Sequence, residues 1–213
     1  MKVSVLMFDN FETLDVFGPV ELFARIKDHY QVLFYSLSGG LIKNDHGVSI
    51  MTEKLSMIEK KADIFLIPGG YGTRIEVNNL LLINEIRRIS QLSRYVLTVC
   101  TGTSLLAKTG LLDAKYATTN KRAYDWVLAQ GPNVKWIKKA RWVVDDKYYT
   151  SSGVSAGMDM TLGFISDLQG LEFARELAYT VEYNWVEDKD EDNFVEEYKI
   201  ISSSLKGPEA LLI

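Results

Sequence analysis

Short apolar runs alternate with amphipathic stretches along this chain, a rhythm that predicts strands buried on both faces of a parallel sheet and helices that cover them. Residues 3–8 read as the first buried strand, and a helix follows over about 16–27, with Pro19 tolerated in its first turn. A second strand spans 32–37. Gly39-Gly40 and Asn44-Asp45-His46-Gly47 then punctuate a small hairpin region that runs to about Met51. A third apolar run, 64–67, stops at Pro68-Gly69-Gly70. Helical spacing of Leu, Ile and Arg follows over 80–92, and the β-branched run 95–99 leads into Cys100. A helix over 103–109 closes at Gly110. Further strands are expected at 116–119, 134–137, 141–144 and 148–151, and helices at 124–129, 156–168 and 172–185. The pattern describes one α/β domain over 1–186, followed by an acidic segment and C-terminal tail over 187–213.

Composition narrows the function classes. Hydrophobic residues make up 47% of the 213 and charged residues 24%, as in an ordinary globular protein. A net charge of −4 gives no electrostatic reason to expect nucleic acid or an anionic membrane as partner, and a small-molecule substrate is the expectation instead. No apolar stretch approaches the ~18 residues of a membrane span. The single cysteine excludes an internal disulfide framework and fits a reducing, cytoplasmic location. With only His29 and His46 there is no Cys/His cluster, so no metal is expected. No glycine-rich dinucleotide or phosphate loop is present, and no cofactor is expected. The acidic run 187–197 reads as a solvated surface.

Against that background the candidate chemistry gathers at Cys100. A strand that ends at a cysteine, followed at once by the small residues Thr101-Gly102-Thr103-Ser104, describes an elbow that lifts the side chain to the N-terminus of the next helix. The helix dipole, worth up to ~2 kcal/mol, would pull a free thiol of pKa ~8.5 toward the thiolate at neutral pH. The competing reading is an inert core cysteine. In an open parallel sheet, ligands bind beyond the carboxyl ends of the strands, so the segments after the first, third and Cys100-bearing strands should converge. Asp15 after the first strand reads either as a helix N-cap or as a protonated acid that donates to the Cys100 sulfur, the two titrating as a unit. Gly69 and Gly70 read as a tight turn or as an N–H nest that, with the Thr101 N–H, steadies negative charge. The Thr101 hydroxyl is a candidate to orient water or substrate. Tyr71, Asn120 and Trp126 are candidate pocket walls, and Glu12 and Glu21 weaker acids. Neither histidine is placed near these strand ends, which disfavours a Cys-His relay.

Leu14-Asp15-Val16-Phe17-Gly18-Pro19-Val20-Glu21, Ile67-Pro68-Gly69-Gly70 and Val99-Cys100-Thr101-Gly102 together resemble the ThiJ/PfpI superfamily. Ala117-Thr118-Thr119 and Ser152-Gly153-Val154-Ser155-Ala156-Gly157-Met158-Asp159 extend the resemblance to about residue 185. Within that superfamily the chain is most similar to the isonitrile hydratase branch, which carries Asp before the Gly-Pro helix and Thr after the cysteine. The resemblance implies a flavodoxin-like three-layer sandwich with a mostly parallel central sheet, and commonly a homodimer. It also implies a nucleophilic Cys100 assisted by Asp15 and Thr101, with hydration of an isonitrile to an N-substituted formamide as the activity. Alternatives within the same resemblance are an amidase- or protease-like enzyme, a glyoxalase- or deglycase-like enzyme, and a non-catalytic redox or ligand sensor. One departure is plain: the branch usually reads Ala-Thr-Thr-His where this chain has Asn120 as the fourth residue.

Overall fold

The computed structural model describes residues 1–195. Its strands are β1 (Lys2–Leu6), β2 (Gln31–Ser36), β3 (Gly40–Lys43), β4 (Ser49–Lys54), β5 (Ala62–Ile67), β6 (Ser93–Thr98), β7 (Tyr116–Ala117), β8 (Lys135–Trp136), β9 (Trp142–Asp145) and β10 (Tyr148–Ser151). The helices are α1 (Thr13–Arg25), α2 (Thr73–Glu76), α3 (Leu80–Leu92), α4 (Gly102–Lys108), α5 (Tyr124–Leu128), α6 (Ala156–Gln169) and α7 (Leu171–Thr180). Eight strands make one sheet in the order β3-β4-β2-β1-β5-β6-β10-β9, and β7 and β8 pair separately. The inner strands are parallel; only the β3–β4 and β9–β10 pairs at the two edges are antiparallel. This is the α/β sandwich with a mostly parallel central sheet expected above.

Burial explains the strand order. Val3, Val5 and Leu6 of β1, and Ile64 through Ile67 of β5, are fully buried, so both strands need cover on each face. The β3 strand and most of β4 are exposed, and they serve as the edge. Helices α1 and α6 pack together on one side with α7 behind them, while α3 and α4 pack against β5 and β6 on the other. Beneath α1 and α6, the Phe164 ring meets Phe23, Tyr95 and Tyr149 edge-on. The order in which strands are added reverses between the parallel neighbours β1 and β5: the chain steps from β1 outward to β2, then returns to build the other half of the sheet from β5. At such a point the loops after the strands splay apart and leave a crevice.

Several expectations are corrected at the ends of elements. Helix α1 begins at Thr13, so Asp15 lies inside its first turn and Glu12 holds the cap position, with no side-chain capping bond. Helix α7 stops at Thr180, short of the expected 185, where Glu182 adopts a left-handed φ of 51°. The chain then turns back onto α6: Tyr183 Oη and the Val186 N–H donate to Asp159 Oδ1, and Trp185 Nε1 to the Asp159 carbonyl.

The acidic run is not wholly a solvated surface. Asp192 is 2% exposed and lies between Lys121 Nζ at 3.6 Å and Arg141 Nη1 at 3.8 Å. Arg141 also pairs with Asp159 at 2.7 Å, and its backbone N–H donates to the Lys189 carbonyl. Residues 187–195 therefore pack on the body through a buried charge cluster; the apolar tip Leu211-Leu212-Ile213 lies outside the described residues. Burial pulls the Lys121 ammonium down to about 8, against the pull of Asp192 in the other direction. Above that pH the native lysine releases its proton while the unfolded one keeps it to about 10.4, so this group's contribution to stability rises with pH through that window. Asp192→Asn leaves the buried cation without its carboxylate and should cost roughly 3 kcal/mol, read as a lower urea midpoint. The alkaline rise in stability should then begin at a lower pH than in the wild type.

Candidate active site

The chain enters the site through strained backbone. Cys100 has φ 56° and Val154 φ 44°, left-handed values that cost L-residues roughly 1–2 kcal/mol each. At Cys100 the sharp turn ends β6 and starts α4. Its N–H donates to the Ser152 carbonyl, and its carbonyl accepts from the Thr119 hydroxyl at 2.8 Å. The elbow is thus clamped from two loops that are distant in sequence.

Because β1, β5 and β6 are neighbours in the sheet, the three strand ends do meet. The Gly69 N–H donates to Asp15 Oδ2 at 2.9 Å, and the Gly70 N–H to Thr101 Oγ1 at 3.0 Å. Gly69 can be nothing larger: a Cβ there would lie 2.7 Å from Asp15 Oδ2, from Thr101 N and from Thr101 Oγ1. Gly70 has φ 124° and sits so close to the Asn10–Glu12 backbone that a Cβ would reach 2.3 Å from Glu12 N. These contacts change the expected roles. Both glycine N–H groups are occupied by side chains, so they form no open nest. The Thr101 hydroxyl returns a bond to the Gly70 carbonyl at 3.3 Å, which makes it a brace across the crevice.

The donors that face the Cys100 sulfur are the backbone N–H groups of Thr101 and Val154 and the side chain of Asn120. Asn120 Oδ1 accepts from the Arg122 and Ala123 N–H groups, at 2.8 and 3.1 Å, so its amide nitrogen is the end left to meet sulfur. Asp15 is fully buried with its carboxyl against the Cys100 thiol, and its Oδ1 meets no other polar group among the described residues. An ionised oxygen in that state is expensive. Burial, and to a lesser degree Glu12, holds the Asp15 carboxyl well above the usual carboxylate range despite the Gly69 N–H.

The expected thiolate is corrected as well. Cys100 is 3% exposed; burial first, then the neighbouring Asp15, pushes its thiol up, and the donors at sulfur do not outweigh them. Helix α4 has only seven residues, and its short dipole acts on a sulfur shielded from water. Burial thus pushes both the thiol and the carboxyl toward their neutral forms.

Cys100 nevertheless reaches a pocket, about 310 Å³ including its open mouth, which it shares with Glu12, Gly70, Tyr71, Thr101 and Asn120. Arg74 and Ala123 complete the lining. Tyr71 is 60% exposed at the mouth. Glu21 lies away from the site, paired with Arg25 on the surface. His46 comes closer than sequence position suggested: its Nδ1 is 3.9 Å from Glu12 Oε1 and 2.7 Å from the Thr13 hydroxyl. Three site residues escaped the sequence reading: Val154, Arg74 and the small apolar lining residue Ala123. Val154 stands in the Ser-Gly-Val-Ser segment that carried the resemblance, and its left-handed backbone shows only in the structure. Arg74 had no signal, since it reaches the pocket from the short helix α2 after the Gly-rich loop and packs on Trp126, which lies far along the chain.

A buried cysteine at a strand-to-helix elbow, with a carboxyl from the first helix beside it at the switch point of a parallel sheet, defines a cysteine-elbow α/β protein. The chain belongs to the DJ-1/PfpI family, whose sequence model matches residues 1–167. It is similar to isonitrile hydratase of Pseudomonas putida, with 27% identity over 186 residues that cover 86% of this chain and 78% of that protein. A deglycase of Thermococcus kodakarensis is 28% identical over 155 residues, covering 71% of this chain and 89% of the deglycase. Among solved structures, a ThiJ/PfpI family protein from Pseudomonas syringae superposes with a TM-score of 0.77 at 22% identity, over 86% of this chain and 75% of that one. At that identity the superposition speaks for the fold alone. No helix among the described residues is long and apolar enough to cross a membrane.

Proposed function

We propose that this protein is a cysteine-dependent enzyme of the cytoplasm that hydrates a small isonitrile to an N-substituted formamide. The observation that carries the reading is the Cys100–Asp15 pair: a buried thiol beside a carboxyl whose Oδ1 has no other partner, at the wall of a pocket and without a histidine at the sulfur. A thiol and a carboxyl in contact, both pushed by burial toward their neutral forms, suit an addition in which a proton must arrive at carbon as sulfur bonds to it.

The steps balance without outside reagents. The Cys100 sulfur bonds to the terminal carbon of R–N≡C while Asp15 delivers its proton to that carbon and takes up the thiol proton in exchange. The product is a thioimidate, R–N=CH–S–Cys100. Water then adds to the same carbon; Asp15 protonates the nitrogen and receives a proton from the water. Collapse of R–NH–CH(OH)–S–Cys100 breaks the carbon–sulfur bond and releases R–NH–CHO. The hydroxyl proton returns to sulfur through Asp15. The Thr101 and Val154 N–H groups and the Asn120 amide support the sulfur as it leaves with its electron pair.

Similarity to isonitrile hydratase supports this choice of substrate, and similarity to a deglycase keeps carbonyl adducts as the comparison set. The test is formamide formation from a short alkyl isonitrile, followed by chromatography, with glyoxal-type carbonyls run in parallel. Formamide release with multiple turnovers supports the reading. Turnover of the carbonyls alone would replace it.

A further inference from the structure

Arg74 is the cation of this pocket, and nothing in the mechanism uses it. Its guanidinium lies over the Trp126 ring with 3.6 Å between its carbon and the ring centroid, flat enough to stack and rigid enough to aim. Nη1 is buried and donates to no group among the described residues. The ionisable neighbours it senses are Cys100 and Tyr71, not a carboxylate. Glu12, the other charged group of the lining, lies 3.9 Å from His46 Nδ1 through its Oε1. Buried N–H donors without acceptors are destabilising, and a guanidinium keeps two parallel N–H groups ready for a carboxylate's two oxygens. A pocket that holds such a group beside its reactive sulfur is prepared for a ligand that brings the missing acceptor.

We propose that Arg74, stacked on Trp126, binds a carboxylate carried by the substrate a few bonds from the carbon that Cys100 attacks. The choice of an isonitrile rests on the reading above, which makes the substrate a short isocyano carboxylate; the carboxylate site itself does not depend on it.

Two arms test the proposal. In the first, the Cys100 sulfur is alkylated by iodoacetate or by iodoacetamide; sulfur displaces iodide and the thiol proton leaves to solvent. Cys100 is the only cysteine, so intact mass reports its modification directly. Arg74→Gln should slow iodoacetate by about ten- to hundredfold, the range of a charge-assisted bond, and leave iodoacetamide within a factor of about two. Arg74→Lys, which keeps charge but loses the fork, should fall between. An unchanged iodoacetamide rate also shows that the variant is folded around its cysteine. Equal slowing of both reagents, or of neither, would overturn the carboxylate site. The second arm compares an isocyano carboxylate with its methyl ester. The wild type should favour the acid about tenfold or more in kcat/KM, mainly through KM, and Arg74→Gln should erase that preference. If no isonitrile turns over while iodoacetate still depends on Arg74, the carboxylate site stands and the isonitrile reading falls.

Discussion

Replacing Cys100 by alanine is expected to take formamide formation down to background, a loss on the order of 10⁴- to 10⁶-fold as for other covalent nucleophiles. Serine should do no better, because a hydroxyl in this buried setting is a far weaker nucleophile than a thiol, and no histidine stands by to deprotonate it. The same position permits a separate measurement of strain. Cys100 holds φ 56°, so alanine keeps the left-handed penalty that glycine avoids. Cys100→Gly should therefore be more stable than Cys100→Ala by about 1 kcal/mol, read from denaturant midpoints, although both are inactive. Retention of even a tenth of wild-type turnover in either variant would end the covalent mechanism. Equal stabilities would show that the elbow carries no strain.

Asp15→Asn is the second large effect, about 10²- to 10³-fold in kcat, the usual worth of a positioned acid–base group. The amide preserves shape and can still accept the Gly69 N–H through its oxygen, yet it cannot exchange protons with sulfur and carbon. Stability should move the other way. A carboxyl whose native pKa is raised favours the native state most below its unfolded value near 3.9, and that contribution is lost as pH climbs through the native value. At neutral pH and above, Asp15→Asn should be at least as stable as the wild type, and the gap should close on acidification. Wild-type kcat should also fall on the alkaline side as the carboxyl ionises, and this limb should be missing from the residual activity of the variant. An unchanged alkaline limb in Asp15→Asn would assign the titration to another group.

These outcomes bear on why catalytic chemistry and fold stability pull apart here. Cys100 in its left-handed conformation and the Arg74 guanidinium nitrogen without an acceptor border one small pocket, and the left-handed Val154 and the buried Asp15 carboxyl stand behind its wall at the sulfur. Each is unfavourable alone, and the surrounding sheet, apolar on both faces along β1 and β5, over-determines them. The buried Lys121–Asp192–Arg141–Asp159 cluster lies behind the same loop that presents Asn120 to sulfur. A weakened cluster is thus expected to affect stability before chemistry.

What the chain determined locally was considerable. Continuous apolar runs can only be strands covered on both sides, Gly and Pro mark where they stop, and a β-branched strand that ends in a cysteine and small residues can only turn sharply. Those patterns gave the sheet, the elbow and the meeting of Asp15, Gly69 and Thr101, because topology brings adjacent strand ends together whatever their spacing in sequence. The protonation of the thiol, the use of the glycine N–H groups, the burial of Asp192 and the presence of Arg74 were decided only in three dimensions. Each depends on how much water reaches an atom and which distant group stands against it. Desolvation and pairing are properties of the packed whole, and no stretch of sequence carries them.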